Sequence, residues 1–179
     1  MKKIKVLTGA LLFSLSVYMP AHVFAQNTTK LSDAEIASVA VVANQNDIDF
    51  ASIAKTKSTN ADILRFAETM ATDHKSVIDQ AVALVTKLGV TPKDNAVSKK
   101  LLSDAASTKK MLSSKSGDAF NKAYIDNEVA YHKAVIAAVE TVLIPDAKNA
   151  DLKNLLQNVL PVLKTHLEHA EMVQKSFGK

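Results

Sequence analysis

The stretch Tyr124-Ile-Asp-Asn-Glu-Val-Ala-Tyr-His132 places a carboxylate and an imidazole one helical turn apart within an apolar pattern. If residues 118–143 are helical, each residue advances about 100° around the axis, and the apolar side chains gather on one face. Glu128 and His132 lie near the centre of that face. A buried carboxylate costs several kcal/mol unless a cation, a metal ion or a hydrogen bond compensates it. The sequence therefore predicts a partner for Glu128 elsewhere in the core.

The N-terminal residues have the pattern of a secretory signal peptide. Lysines at positions 2, 3 and 5 precede an apolar run at 6–17, and the small-residue ending Val23-Phe24-Ala25 follows. The apolar run is shorter than the roughly 20 residues that a membrane-spanning helix needs. We therefore expect residues 1–25 to be removed by cleavage after Ala25, and the protein to be periplasmic or secreted. A flexible segment at 26–31 then precedes one domain at 32–179.

The composition excludes several classes of protein. Three of the 22 lysine and arginine residues lie in the predicted signal peptide, which leaves 19 basic against 18 acidic residues, and the basic ones are dispersed. This balance favours no nucleic-acid partner. Cysteine is missing, so a metal ion would have nitrogen and oxygen ligands rather than thiolates. No later apolar run is long enough for a transmembrane anchor. An envelope protein or a second copy of the chain stays open as a partner.

The chain after residue 31 predicts an all-α fold. Apolar residues recur three and four positions apart, and the alternation typical of strands is missing. The predicted helices span residues 32–57, 60–88, 96–113, 118–143 and 149–177. Four long helices with one short crossover helix indicate a ferritin-like up-down four-helix bundle. Pro145 is expected to end the fourth helix, and Pro161 to kink the fifth.

Five polar residues are predicted to point inward from four different helices. They are Asp47, His74, Glu128, His132 and His166. A single one would be an ordinary hydrogen-bonded core residue, but several converging polar groups are costly unless each is satisfied. One ion of iron, manganese, zinc or copper satisfies imidazoles and carboxylates together, so we predict a metal site with these five residues as ligands. Asp73, Tyr124 and His169 are the candidates for residues that orient them.

Four motifs of this chain resemble those of a known bacterial family. They are Asn46-Asp-Ile-Asp49, the stretch Phe66–His74, the stretch Tyr124–His132, and Leu160-Pro with His166-Leu. Together they are similar to the exported domain-of-unknown-function family 4142, whose members are often labelled as predicted outer-membrane proteins. The resemblance implies a ferritin-like bundle after a signal peptide, without an established activity.

The chain departs from the usual ligand pattern of ferritin-like proteins with two metal ions. In those sites a glutamate stands three residues before a histidine on each of two helices. Here Ala71 and Leu163 stand three residues before His74 and His166. The sequence therefore favours one ion over two, with metal buffering or protection from oxidative stress as the expected role.

Two other functions stay open on the sequence alone. In the first, the inward residues form a structural hydrogen-bond network, and the protein is a non-catalytic envelope or stress scaffold. In the second, Glu128 is the base of an enzyme and acts with His132. The enzyme is the less favoured of the two, because the chain shows no nucleophile motif, phosphate loop or second acid-base pair.

Overall fold

A computed structural model describes residues 30–177, so the predicted signal peptide and its cleavage site lie outside the described range. The all-α prediction is confirmed, and no strand occurs between residues 30 and 177. The helices are α1 (Asp33–Lys57), α2 (Ala61–Leu88), α3 (Ala96–Ser113), α4 (Gly117–Ala138), α5 (Ile144–Asp146) and α6 (Ala150–Ser176). A π-helical turn, Val139–Leu143, joins α4 to α5. None of the helices in this part of the chain is long and apolar enough to cross a membrane.

Four of these helices form a bundle, and α3 lies outside it. Within the bundle, α1 packs against α2 and α4, and α6 packs against the same two helices from the opposite corner. Helix α3 runs along α1. At its start the Asn95 amide donates to the Glu35 carbonyl, and at its end the Ser113 carbonyl accepts from Lys57. The chain is thereby returned to the end of the bundle where α2 began. This single crossover is the connection found in ferritin-like folds.

Local sequence signals set the ends of the helices. Ser32 Oγ accepts from the Glu35 N–H at 3.4 Å, and Glu35 Oε2 accepts from the Ser32 N–H at 3.0 Å, which forms the capping box of α1. Helix α2 ends at Gly89, whose φ of 64° lies in the left-handed region that favours glycine. Leu31, at the end of the predicted flexible segment, is buried, and its N–H donates to Asp146. The packed structure therefore begins before the capping box.

The prediction that Pro145 ends the fourth helix is wrong. Helical backbone continues to Asp146, because the π turn changes the hydrogen-bond pattern just before the proline, and the Ile144 N–H donates to the Val139 carbonyl five residues back. Pro145 then stands in the first turn of α5, where a missing N–H removes no helical bond. Helix α6 continues through Pro161 as one helix.

A polar layer divides the core of the bundle into two apolar clusters. On α1, Ala43 belongs to one cluster and Phe50 to the other, and Asp47 lies between them in the sequence. On each of the other bundle helices a buried histidine likewise lies between buried apolar residues. The fold therefore brings the inward polar residues of four helices to one level.

Candidate metal centre

All five predicted residues lie in the polar layer. Asp47 and Glu128 have no exposed surface, His132 is 1% exposed, and His74 and His166 are each 4% exposed. They form two overlapping groups, the three histidines in one and Asp47, Glu128 and His132 in the other. Within each group the available ligand atoms lie within 4.8 Å of one another. His132 is common to both groups and therefore lies at the centre of the cluster.

Asn44 determines which ring nitrogen of His74 carries the proton. The Asn44 Nδ2 donates to the Ala40 carbonyl at 2.8 Å, and this orients its Oδ1 toward His74 Nδ1 at 2.7 Å. Because an amide oxygen only accepts, Nδ1 is the donor and Nε2 has a free lone pair. His74 Nε2 is buried and has no hydrogen-bond partner among the described residues.

The other two histidines are held in the same way. His132 Nδ1 donates to the Glu128 backbone carbonyl at 2.9 Å, and His166 Nε2 donates to Asp73 Oδ2 at 2.9 Å. The remaining nitrogens, His132 Nε2 and His166 Nδ1, are buried without a partner in residues 30–177. The ring centroids of His74, His132 and His166 are 5.2, 5.6 and 5.7 Å apart, close to an equilateral triangle. One nitrogen held by an acceptor and the other free is the usual state of a metal-binding histidine.

Asp47 lies against two of the free nitrogens. Its Oδ2 is 3.3 Å from His74 Nε2 and 3.6 Å from His132 Nε2. Since the protons of both rings are on Nδ1, neither approach is a hydrogen bond, and both Asp47 oxygens lack a partner within the described chain. Metal–ligand bonds of about 2.1 Å place neighbouring ligand atoms about 3.0–3.5 Å apart in octahedral and tetrahedral sites. The observed separations are close to that range.

Glu128 approaches the cluster from the side of Asp47. Its Oε2 lies 3.7 Å from His132 Nδ1, and neither carboxylate oxygen has a hydrogen-bond partner in the part of the chain described. It groups with Asp47 and His132 but not with His74 and His166. The three histidines therefore form one possible ligand set, and Asp47, which lies 3.3 and 3.6 Å from two of their free nitrogens, is the carboxylate placed to join it, with Glu128 beside them.

Burial determines the charge of the cluster when no metal is bound. It raises the pKa of Asp47 from 3.8 to about 7. Burial, with the Asp47 carboxylate beside it, raises the pKa of Glu128 well above its usual value. Burial lowers the pKa of His132 to about 4, that of His74 well below its usual value, and that of His166 as well. The imidazoles are thus neutral at neutral pH, which is the state that binds metal ions.

The structure places only one of the three predicted orienting residues against a ligand. Asp73 accepts the hydrogen bond from His166. The Tyr124 hydroxyl is buried and has no hydrogen-bond partner among the residues described. His169 packs its ring edge against Phe66, with the centroids 5.1 Å apart.

Asn44 was missed by the sequence analysis. A usable signal was present, because Asn44 stands three residues before Asp47, a spacing that puts both side chains on one face of α1. Its role also needs His74, 30 residues away in the sequence, to pack opposite that face. The helical pattern contains no information about that pairing.

Comparison with models of known protein families identifies the family of this chain. The family model described as Domain of unknown function (DUF4142) matches residues 19–173. The chain belongs to the DUF4142 family. This confirms the resemblance found in the sequence, and the match includes every ligand candidate of this DUF4142 protein. No curated protein and no solved structure matches the chain with significance.

Proposed function

We propose that this DUF4142 protein binds one transition-metal ion in the core of its bundle. Asp47, His74, His132 and His166 are the ligands, and Glu128 lies beside them. The observation that carries the proposal is the state of the histidines. Each has one nitrogen held by an acceptor, while the other is buried, unpartnered among the described residues, and close to the others. Lone pairs and a carboxylate gathered in a dry core repel one another unless a proton or a metal cation lies between them.

Iron, manganese, zinc and copper are the candidate ions. Three imidazoles and a carboxylate suit all four by ligand type, and the chain has no thiolate that would select a softer ion. We further propose metal buffering or protection from oxidative stress as the role. A deeply buried site supports this role, because burial separates a bound ion from solvent. The signal-peptide pattern supports export as the setting.

A structural hydrogen-bond network is the competing explanation for the same residues. Such a network would give each buried polar atom a partner, because an unsatisfied buried group costs about 1–3 kcal/mol. Seven side-chain oxygen and nitrogen atoms of the five cluster residues lack one within residues 30–177. Metal binding is therefore the better-supported function.

Elemental analysis of residues 26–179, purified without chelators or a histidine tag, tests the proposal. We expect one bound ion per chain, lost in His132→Ala and retained in His169→Ala. The control residue is also a histidine, but it packs on Phe66 outside the cluster. Binding should raise the melting temperature by mass action. The proposal is refuted if the purified protein is metal-free and none of the four ions, added back, raises its melting temperature.

A further inference from the structure

An apolar cavity of about 50 Å³ adjoins the candidate metal centre. Its polar end is lined by Asn44, Asp47, His74, Tyr131 and His132. The rest of its wall consists of alanine, valine and leucine side chains from α1, α2, α4, the π turn and α6. We call this cavity the apolar chamber. It shares Asp47, His74 and His132 with the cluster, so a molecule in the chamber can reach the proposed ligands.

The apolar chamber is long and narrow. Val85 follows His74 by eleven residues on α2, and Leu143 follows His132 by eleven residues, and all four line the wall. At about 1.5 Å per residue the chamber extends roughly 16 Å along the bundle. A volume of about 50 Å³ over this length leaves room for small molecules in single file. The π turn contributes Val139 and Leu143 to the wall, and such turns occur frequently at functional sites.

The chemistry of the wall restricts the occupant. A water molecule needs about two to four polar partners, which the apolar part of the wall does not offer. A fatty acid with its headgroup at the polar end would bring a second carboxylate against the buried Asp47 side chain, which is costly in a dry core. Val77, from α2, and Val159, from α6, line the chamber and are half-buried, so solvent reaches the wall at both residues. A small, uncharged, apolar solute needs no polar partner and fits the apolar part of the wall.

We propose that the apolar chamber binds a small apolar gas, of the class of dioxygen and nitric oxide, and delivers it to the ion bound by the histidine cluster. This inference rests on the proposed metal-binding function and adds the class of ligand. The gas enters between α2 and α6, occupies the chamber, and approaches the ion from the side of His74 and His132.

Xenon tests the chamber without a metal ion. Crystals of the metal-free protein, pressurised with xenon, should show xenon in the chamber. Ala81 is buried and lines the wall, so Ala81→Leu should fill the chamber and remove the xenon. Ala83→Leu makes the same change at an exposed position on α2 and should leave it in place. Ala40→Leu, at a half-buried position of the wall, is the second filling variant if Ala81→Leu does not fold.

Nitric oxide tests delivery to the ion. Protein loaded with Fe(II) without oxygen is mixed with nitric oxide in a stopped-flow spectrometer. We expect the association rate to fall at least about tenfold in Ala81→Leu, an added barrier of about 1.4 kcal/mol. The rate in Ala83→Leu should equal that of the unmodified protein. Equal rates in all three proteins would overturn delivery through the chamber.

The outcomes separate this inference from the proposed function. Ordered water throughout the chamber, an alkyl chain that copurifies there, or no xenon in a protein that binds Fe(II) would overturn the gas chamber alone. Xenon in the chamber of a protein that binds none of the four ions would overturn metal binding, and delivery to an ion with it. Xenon together with the tenfold rate difference would support both.

Discussion

Asp47→Asn should stabilise the metal-free protein while it abolishes metal binding. Asp47 is fully buried, and neither of its oxygens has a hydrogen-bond partner among the described residues. The negative charge of Asp47 is stabilised only when a cation is bound beside it. A metal site therefore weakens the empty protein, and removing the charge should relieve that cost. A structural network predicts the reverse, because the substitution would break satisfied bonds.

The magnitude follows from the pKa of Asp47, which burial raises from 3.8 to about 7. A raised folded-state pKa means that the folded protein holds the proton more tightly. The contribution of Asp47 to stability is therefore greatest below pH 3.8 and is lost as the pH rises to about 7. At about 1.4 kcal/mol per pH unit, the loss above pH 7 is about 4 kcal/mol. The buried asparagine amide costs about 1–3 kcal/mol in turn, which leaves a gain of about 2 kcal/mol.

Urea denaturation in the presence of a chelator measures this effect. At pH 8 the free energy of unfolding should rise by about 2 kcal/mol, and the melting temperature by about 4–8 °C for a domain of this size. Asp49→Asn is the matched control on α1. It breaks a partly exposed ion pair with Lys109, so a loss of at most about 1 kcal/mol is expected. If Asp47→Asn has a lower free energy of unfolding than the unmodified protein at pH 8, the inference that the Asp47 charge serves only to bind a metal ion is refuted.

Three further predictions concern the surroundings of the site and the fold. Asn44→Leu should weaken metal affinity about 10–100-fold, because His74 loses the acceptor that orients it, and Asn44→Asp should restore the affinity in a chelator competition assay. Metal binding should release protons, because the pKa values of Asp47 and Glu128 are raised, and the metal affinity should therefore increase as the pH rises to about 7. Calorimetry in buffers of different ionisation enthalpy measures the proton release. Ser32→Ala should lower the free energy of unfolding by about 1 kcal/mol through loss of the α1 cap, as measured in urea.

Each of these predictions has its own contradicting result. Equal affinities of Asn44→Leu and the unmodified protein would show that His74 is oriented without Asn44. An affinity that does not change between pH 5 and pH 7 would contradict raised carboxyl pKa values in the empty site. Unchanged stability of Ser32→Ala would show that the packing of Leu31 holds the start of α1 without the capping box.

The inward positions of the ligand candidates were predictable because each depends on a single helix. Glu128 and His132, for example, share the face of α4 that carries its apolar residues, and a helix fixes the direction of a side chain from the phase of its pattern. Asp47 lies toward one side of the apolar face of α1, yet it has no exposed surface. Small neighbours on α1, among them Ala43, Ala51 and Ala54, leave room beside it.

The groups that orient the histidines were less predictable because most of them come from other helices. His166 on α6 donates to Asp73 on α2, and the two are 93 residues apart. His74 donates to Asn44, 30 residues away. The π turn before Pro145 was also missed, since an extra residue shifts the phase of an apolar pattern, and only the three residues Ile144–Asp146 follow the turn to show that shift.

The sequence by itself determined the helical class, most of the helix ends, the family and the inward faces, because caps, glycine and helical period act over a few neighbouring residues. Only the tertiary structure decided that four inward faces meet at one level. It also decided which ring nitrogens stay free and that an apolar chamber lies beside them. These features depend on the register between helices, which packing over the whole bundle sets and no short stretch of sequence encodes.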